Sequence, residues 1–331
     1  MLDLGTGSGV LALRAARHCS RVVGVDINPR ALGFAELNRR LNGLENVEWR
    51  QGNWLEPVAG ERFDLIVSNP PYVVSPDSEF TYRDSGMPGA ELVAALCREI
   101  PDYLEEDGLA IVLGMWPHKT SDDWEAAPSS WVHGNGCDSL VVCFETVAPL
   151  EHALAWNSPP ARLLDPTVFK ETVARWNRYF CETGTGAISF GAVVLRRRRS
   201  GRRWTRLMRA STAPGDGAAR QLMRIMMGND FLEPSPDLPN YRYAVPSGLS
   251  VVQRLVRAEH GWLERAATVS LPGELGVSAD VDPDALNALF GCDGETSLCE
   301  LIEDSDDVAI TVAAVTQLLT SGLLDAYEGF E

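Results

Sequence analysis

The first two hundred residues alternate short apolar runs, rich in β-branched residues, with stretches of helical periodicity. Such alternation predicts an α/β domain in which helices cover both faces of a mostly parallel sheet. The pattern predicts seven strands, at Met1–Leu4, Arg21–Val25, Val47–Gln51, Phe63–Ser68, Leu109–Gly114, Ser139–Val147 and Ile188–Leu195. It also predicts four helices, at Gly9–His18, Pro29–Leu41, Gly89–Leu104 and Asp165–Thr183.

A glycine-rich turn joins the first predicted strand to the first predicted helix, with the sequence Asp3-Leu4-Gly5-Thr6-Gly7-Ser8-Gly9. Residues without a Cβ let the backbone turn tightly and approach a ligand closely. A dinucleotide-binding fingerprint, G-x-G-x-x-G, would require glycine where this chain has Val10. The turn therefore predicts a nucleotide-like cofactor and disfavours NAD and FAD.

An acidic residue, Asp26, ends the second predicted strand. It lies about twenty residues after Gly5, a spacing at which a carboxylate can accept hydrogen bonds from both hydroxyls of a ribose. Alternatively, Asp26 could cap the helix that begins near Pro29, although Asn28 is better placed for that role.

A second motif, Asn69-Pro70-Pro71-Tyr72, follows the strand Phe63–Ser68 and should lie at the carboxyl edge of the sheet, where open α/β sheets bind ligands. The two prolines stiffen the backbone and remove two N–H donors. The Asn69 Oδ1 and the Pro70 carbonyl could each accept one N–H of a planar NH2 group, while Tyr72 packs on the flat acceptor. A cofactor turn together with this corner predicts N-methyl transfer, with Asn69, Pro70 and Tyr72 as the catalytic residues.

These motifs together resemble the S-adenosylmethionine (SAM) methyltransferase fold, in the HemK/PrmC-like branch that methylates planar nitrogens. The resemblance is good over residues 1–115 and implies a seven-stranded Rossmann-like sheet with SAM as the cofactor. It implies that residues 3–9 lie along the methionine part of SAM, that Asp26 binds the ribose, and that Asn53 and Trp54 flank the adenine. Trp54 could instead be a buried core residue.

The identity of the acceptor is predicted from the residues around the second motif. The segments Asn69–Pro76, Gly89–Leu92 and Ile100–Leu104 resemble the eukaryotic and archaeal HemK-like proteins, which implies a protein glutamine, as in a release factor. One alternative is an RNA or DNA base, with phosphates held by the arginine run Arg196–Arg199 and its continuation at Arg202, Arg203, Arg206 and Arg209. That run could also be a solvated strand end. The other alternative is an inactive SAM-binding regulatory protein.

Three regions are predicted along the chain: a methyltransferase domain over residues 1–199, an Arg/Pro/Gly-rich linker over 200–246, and a small, mostly helical domain over 247–331. Helices are predicted there at Leu249–Ala258, Asp282–Phe290, Ser297–Glu303 and Val308–Ser321, and the last two resemble a winged-helix module. Residues 270–331 contain 14 Asp and Glu but no Lys or Arg, so this region carries most of the net charge of −17 of the whole chain. This acidic domain therefore suits protein contact better than nucleic acid.

No apolar run is long enough to span a membrane, and the seven cysteines form no metal-binding or disulfide pattern. These features predict a cytoplasmic protein with no membrane partner and no metal. Only Met1 and Leu2 precede Asp3, although the first strand should be central in its sheet. We therefore expect that the methyltransferase domain is truncated at its N-terminus.

Overall fold

The computed structural model describes residues 1–77, 90–158, 165–258, 261–303 and 308–327. It divides into two compact units, Met1–Met208 and Arg209–Glu331. The first unit therefore extends past the predicted end of the methyltransferase domain at residue 199.

A mixed sheet of eight strands forms the centre of the first unit. The strands are β1 (Leu2–Leu4), β2 (Val22–Asp26), β3 (Val47–Gln51), β4 (Phe63–Ser68), β5 (Leu104–His118), β6 (Asp138–Val147), β7 (Ala187–Arg196) and β8 (Thr205–Arg209). Their order is β3-β2-β1-β4-β5-β7-β6-β8. Strands β1 to β5 pair in parallel, and β7 runs antiparallel between β5 and β6. The predicted Rossmann-like methyltransferase sheet is confirmed, with an eighth strand that lies in the predicted linker.

Six helices are described in the first unit: α1 (Val10–Ala15), α2 (Pro29–Leu41), α3 (Glu91–Glu99), α4 (Ala126–Val132), α5 (Pro149–Trp156) and α6 (Pro166–Glu182). Helix α2 begins where Asn28 Oδ1 accepts the Arg30 N–H at 3.0 Å. Asp165 caps α6 in the same way, and proline occupies the first turn of both helices. The predicted start of the third helix at Gly89 lies outside the described residues. Helices α4 and α5 were not predicted.

The parallel pairing brings several loops to one edge of the sheet. Strand β1 lies between β2 and β4, with Leu4 opposite both Val25 and Ser68. On the far side of β2, Asp26 is opposite Gln51 at the end of β3. The glycine turn, Asp26 and Asn69 therefore follow directly from neighbouring strand ends, as the sequence predicted.

The second unit contains two three-stranded sheets. One has the order β10-β11-β12 and the other β13-β9-β14. The strands are β9 (Arg242–Ala244), β10 (Ser250–Ala258), β11 (Gly261–Ser270), β12 (Ser278–Val281), β13 (Asp293–Ser297) and β14 (Asp325–Tyr327), and the helices are α7 (Ala218–Leu232), α8 (Leu286–Phe290), α9 (Leu298–Leu301) and α10 (Val308–Thr320).

The prediction that the C-terminal domain is mostly helical is wrong. The segment 249–258, predicted as a helix, forms β10, because it pairs with β11 in an antiparallel hairpin. The predicted linker is also folded, since it contains β8, the 15-residue helix α7 and β9. The three remaining predicted helices appear in shortened form as α8, α9 and α10, and the winged-helix likeness stays a prediction. Among the described residues, the helices are too short or too polar to cross a lipid bilayer.

Candidate active site

The glycine turn is held against the end of β2 by backbone hydrogen bonds. The N–H groups of Gly5 and Thr6 both donate to the Val25 carbonyl at 2.9 Å, and the Gly7 N–H donates to Asp26 Oδ2 at 2.8 Å. Gly5, Gly7 and Gly9 all have positive φ, at 75°, 56° and 86°, where residues with a Cβ are strained. The turn is therefore a defined cradle and requires glycine for its backbone conformation.

Asp3 stabilises this cradle from inside the protein. Its Oδ2 accepts the Thr6 hydroxyl at 2.6 Å and the Ala12 N–H at 3.0 Å, which joins the turn to α1. Both Asp3 and Thr6 are buried, and burial raises the pKa of the Asp3 carboxyl above its usual 3.8. The polar atoms of these two side chains are thus directed at the protein itself.

The glycines differ in what they face. A Cβ on Gly9 would lie 2.8 Å from Trp49 Cη2, a core contact, whereas a Cβ on Gly7 would meet no atom within 4 Å. A Cβ on Gly5 would lie 3.9 Å from the ring of Trp54. That residues 3–9 lie along the cofactor stays a prediction. Within the turn, Gly5 and Gly7 border the open side, while Asp3, Thr6 and Gly9 face the protein.

Asp26 lies beside the cradle and is partly exposed. Its Oδ1 accepts the Asn28 N–H and its Oδ2 accepts the Gly7 N–H, both at 2.8 Å. The alternative role as the cap of α2 belongs to Asn28, whose side chain makes the capping bond. Because each carboxylate oxygen can accept more than one hydrogen bond, Asp26 can still receive ribose hydroxyls.

Asn53 and Trp54 lie in the turn after β3. The Asn53 side chain is exposed and its amide donates weakly to Glu56 Oε1 at 3.5 Å. Trp54 has a φ of 45°, a left-handed conformation that is uncommon for a large side chain. Its ring is half-buried, contacts the hydrophobic core and also approaches Gly5. Both interpretations of Trp54 are therefore compatible with its position.

These residues fit SAM in their order along the sheet edge. Neighbouring strands are about 4.8 Å apart, so the ends of β3 and β4 are separated by about 14 Å. An elongated nucleoside ligand that crosses those ends would pass Trp54, then Asp26 and Gly7, and would finish near Asn69. The open space in front of Gly7 and the partly exposed carboxylate of Asp26 provide the cradle and the hydroxyl acceptor that such a ligand needs.

The acceptor motif follows β4, which is tied to β1 where the Ser68 hydroxyl donates to the Leu4 carbonyl at 2.9 Å. The Asn69 side chain is exposed, Pro70 is buried, and Tyr72 is half-buried. The Tyr72 ring lies 5.6 Å from that of Phe190 on β7. Burial raises the pKa of the Tyr72 hydroxyl, so the group stays protonated at neutral pH.

A cavity of about 130 Å³ lies against the Phe190 ring, lined in part by Met115, Trp156, Glu145 and Glu151. Strands β5, β6 and β7 and helix α5 form its walls. Sequence reasoning missed these residues, because they are spread over four elements and belong to no local motif.

Three arginines of the run, Arg196, Arg197 and Arg203, form hydrogen bonds within the first unit. The Arg196 Nη2 donates to Oδ2 of the fully buried Asp138 at 2.7 Å, and the Arg197 Nη1 donates to the Leu104 carbonyl at 2.9 Å. The Arg203 Nη2 donates to a backbone carbonyl at 2.6 Å. The guanidinium groups of Arg196 and Arg197 bind groups at the ends of β5 and β6, which supports a structural role for these residues. Arg199, Arg202, Arg206 and Arg209 are exposed.

Comparisons with known proteins cover the first half of the chain. Residues 1–163 match the family model described as a methyltransferase domain. The release factor glutamine methyltransferase of Xylella fastidiosa is 37% identical over 161 residues, which are 45% of this chain and 55% of that enzyme. The release factor glutamine methyltransferase of Aliivibrio fischeri is 44% identical over 87 residues, or 25% of this chain and 31% of that enzyme. The ribosomal protein uL3 glutamine methyltransferase of Xanthomonas campestris is 36% identical over 122 residues, or 33% of this chain and 40% of that enzyme.

The chain thus spans about half, or less, of the length of these curated relatives. Their names agree with a methyltransferase fold in this part of the chain. Residues 1–163 are therefore similar to a methyltransferase domain, and the relatives that share this part of the chain are named as glutamine methyltransferases.

Proposed function

We propose that this chain transfers a methyl group from SAM to the side-chain amide nitrogen of a glutamine in a protein of the translation machinery, such as a release factor. The observation that carries the proposal is the position of Asn69. Its exposed side chain follows β4 directly, one strand away from the glycine turn that follows β1. The names of the relatives support glutamine as the acceptor.

An amide nitrogen is a poor nucleophile, because its lone pair is delocalised into the carbonyl group. When bound, SAM supplies a methyl group that is already strongly electrophilic. The main task of the protein is therefore orientation, which can contribute about 7–11 kcal/mol to lowering a barrier. Asn69 Oδ1 and the Pro70 carbonyl would each accept one N–H and so direct the nitrogen lone pair towards the cradle.

The surrounding residues favour this binding mode. Pro70 and Pro71 lack N–H groups, so they present no competing donor to the acceptor NH2. The Tyr72 ring would cover one face of the planar amide. The Tyr72 ring itself packs against the ring of Phe190. The neutral hydroxyl of Tyr72 adds no charge to the pocket.

The test is methyl transfer from radiolabelled SAM to a purified release factor and to ribosomal protein uL3, with the label located by peptide mass spectrometry. We expect a gain of one methyl group on a glutamine side chain. Label that is removed by ribonuclease and resists protease would refute glutamine as the acceptor.

The variant Asn69→Ala should lower the transfer rate by about 100-fold or more, the scale of a loss of orientation, with the Kd for SAM within about twofold of wild type. The matched control is Asn287→Ala, the same change at an exposed helical position in the second unit. An unchanged rate in Asn69→Ala would contradict the assigned role.

A further inference from the structure

The chain that follows the acceptor motif is tied to two helices of the first unit. We call residues 69–77 the acceptor segment. On α5, the His152 Nε2 lies 2.9 Å from the Val74 carbonyl oxygen. On α6, the Trp176 Nε1–H donates to Asp77 Oδ2 at 2.8 Å. Because a carbonyl oxygen can only accept, the His152 Nε2 carries the hydrogen of this bond.

We call these two hydrogen bonds the tethers. The side chains that donate them are buried and packed by aromatic rings. His152 is 2% exposed and Trp176 is fully buried. The centroid of the His152 ring lies 5.8 Å from those of Trp176 and Phe180. Val74 of the acceptor segment is buried in the same cluster. A buried indole N–H and imidazole N–H are held in one orientation by such packing, so they fix the backbone that they bind.

The Asp77 carboxylate, at the end of the acceptor segment, is also bound by side chains of α6. The Asp77 side chain is 2% exposed and accepts both the Trp176 N–H and a guanidinium N–H of Arg175. Leaving a buried carboxylate without one of its donors is costly. The geometry of Asp77 therefore depends on α6, which is 99 residues away in sequence.

At its other end, the acceptor segment continues from β4, which Ser68 ties to β1. Between Ser68 and Val74, the consecutive prolines Pro70 and Pro71 have fixed φ angles. A short, stiff stretch between two fixed points has little freedom, so a shift of Val74 or Asp77 changes the direction of Asn69.

We propose that His152 and Trp176 are positioning residues, which set the orientation of Asn69 and Pro70 by holding the far end of the acceptor segment. This inference rests on the proposed function. It assigns a role to α6, which begins at Pro166, beyond residues 1–163 that match the methyltransferase family. A misplacement of about 1 Å can cost about 100-fold in rate. Loss of either tether should therefore lower kcat and leave the KM for SAM unchanged, because SAM would lie along β1 to β3.

The experiment compares three variants with a matched control in the full chain. Trp176→Phe removes the N–H donor and keeps an aromatic ring. His152→Leu removes the other donor, and His152→Gln supplies an amide N–H that can replace Nε2–H. The control, Trp116→Phe, makes the same change in an indole that is 1% exposed and donates to the Trp124 carbonyl at 2.8 Å. The measurements are kcat, the KM for SAM, Tm, and hydrogen–deuterium exchange of the amides in residues 72–77.

We expect Trp176→Phe and His152→Leu to lower kcat at least tenfold, to leave the KM for SAM within twofold, and to speed exchange in residues 72–77. His152→Gln should recover most of the lost kcat. Trp116→Phe should lose a similar amount of Tm with nearly normal kcat and exchange.

The inference is overturned if Trp176→Phe and Trp116→Phe give the same kcat and the same exchange in residues 72–77. A wild-type chain that methylates a nucleobase instead of glutamine refutes the proposed function alone, since the kcat comparison then applies to that acceptor. If the wild-type chain methylates neither, exchange in residues 72–77 still decides whether the tethers hold the acceptor segment.

Discussion

Substitution by alanine should mainly weaken SAM binding at Gly7 and mainly lower the stability of the fold at Gly9. Both have a positive φ, 56° and 86°, so alanine at either position is strained by about 1–2 kcal/mol. The space around them differs. A Cβ on Gly9 would lie 2.8 Å from Trp49 Cη2 and 3.2 Å from the Cβ of Ala35, whereas a Cβ on Gly7 would contact nothing within 4 Å.

The effect on stability follows from this difference. Overpacking a dense core costs about 1–3 kcal/mol, and this adds to the backbone strain only in Gly9→Ala. The free energy of unfolding should therefore fall by about 1–2 kcal/mol in Gly7→Ala and by about 2–5 kcal/mol in Gly9→Ala. Urea unfolding followed by circular dichroism measures both values.

The effect on SAM binding should have the reverse order. The new methyl group in Gly7→Ala occupies the open side of the cradle, and a steric cost of about 1–3 kcal/mol corresponds to a Kd about 5- to 150-fold weaker. The methyl group in Gly9→Ala points into the packing between α1, α2 and β3, so the folded protein should bind SAM within about threefold of wild type. Calorimetric titration measures both affinities. Wild-type SAM affinity in Gly7→Ala, or equal stability of the two variants, would refute the assignment of Gly7 to the open side of the cradle and of Gly9 to the core.

Three further predictions concern single side chains. Asp26→Asn removes the charge from the residue that we expect to accept the ribose hydroxyls, and should weaken SAM binding about tenfold in calorimetry; an unchanged Kd would exclude Asp26 from the site. Burial raises the pKa of Asp3, so the folded protein holds this proton more tightly than the unfolded chain, and stability falls as pH rises from 3.8 through the raised pKa. In urea unfolding, Asp3→Asn should therefore gain stability relative to wild type as pH rises above 3.8, and a difference that does not change with pH would argue against burial of the charge. Gln221 makes three buried hydrogen bonds of 3.0 Å to the backbone of the second unit; Gln221→Leu should lower the free energy of unfolding by about 2–5 kcal/mol, and a loss below about 1 kcal/mol would contradict that role.

Elements with strong local signals were predicted from the sequence with correct bounds. The strands Val47–Gln51 and Phe63–Ser68 and the helix Pro29–Leu41 have the predicted ends. Phe63–Ser68 contains an apolar run that predicts a parallel strand, and Val47–Gln51 is an edge strand in which Val47 and Trp49 alternate with polar residues. A cap such as Asn28 followed by proline defines where a helix begins. For these elements the local sequence and the tertiary structure favour the same conformation.

Elements that depend on a distant or exposed partner were not predicted. Strand β10 resembles a helix in its residue pattern, and only its pairing with β11 makes it a strand. Strand β8 is an edge strand with largely exposed side chains, so its sequence lacks the apolar signal of the central strands. The same limit applies to α5, whose eight residues carry no cap signal beyond the proline in the first turn.

The candidate site also has one part that the sequence predicted and another part that it did not. The cofactor side is built from contacts within the first 54 residues, such as the bond between Gly7 and Asp26, which are 19 residues apart. The sequence therefore predicted which loops meet there, although it could not show that Asp3, Thr6 and Gly9 face inwards. That distinction depends on the packing of α1 against the sheet, which no motif encodes.

The acceptor side is instead built from long-range contacts, with His152 and Trp176 reaching back 78 and 99 residues to the acceptor segment. Neither residue is marked by its neighbours in sequence, because a buried histidine or tryptophan on a helix usually serves the core. This separation has a consequence for specificity. Changes in α5 and α6 can move the acceptor segment and reshape the cavity beside Phe190 without altering the glycine turn or Asp26. We therefore expect that one cofactor cradle can serve different acceptor nitrogens, with the choice among them set by those parts of the first unit that local motifs describe least.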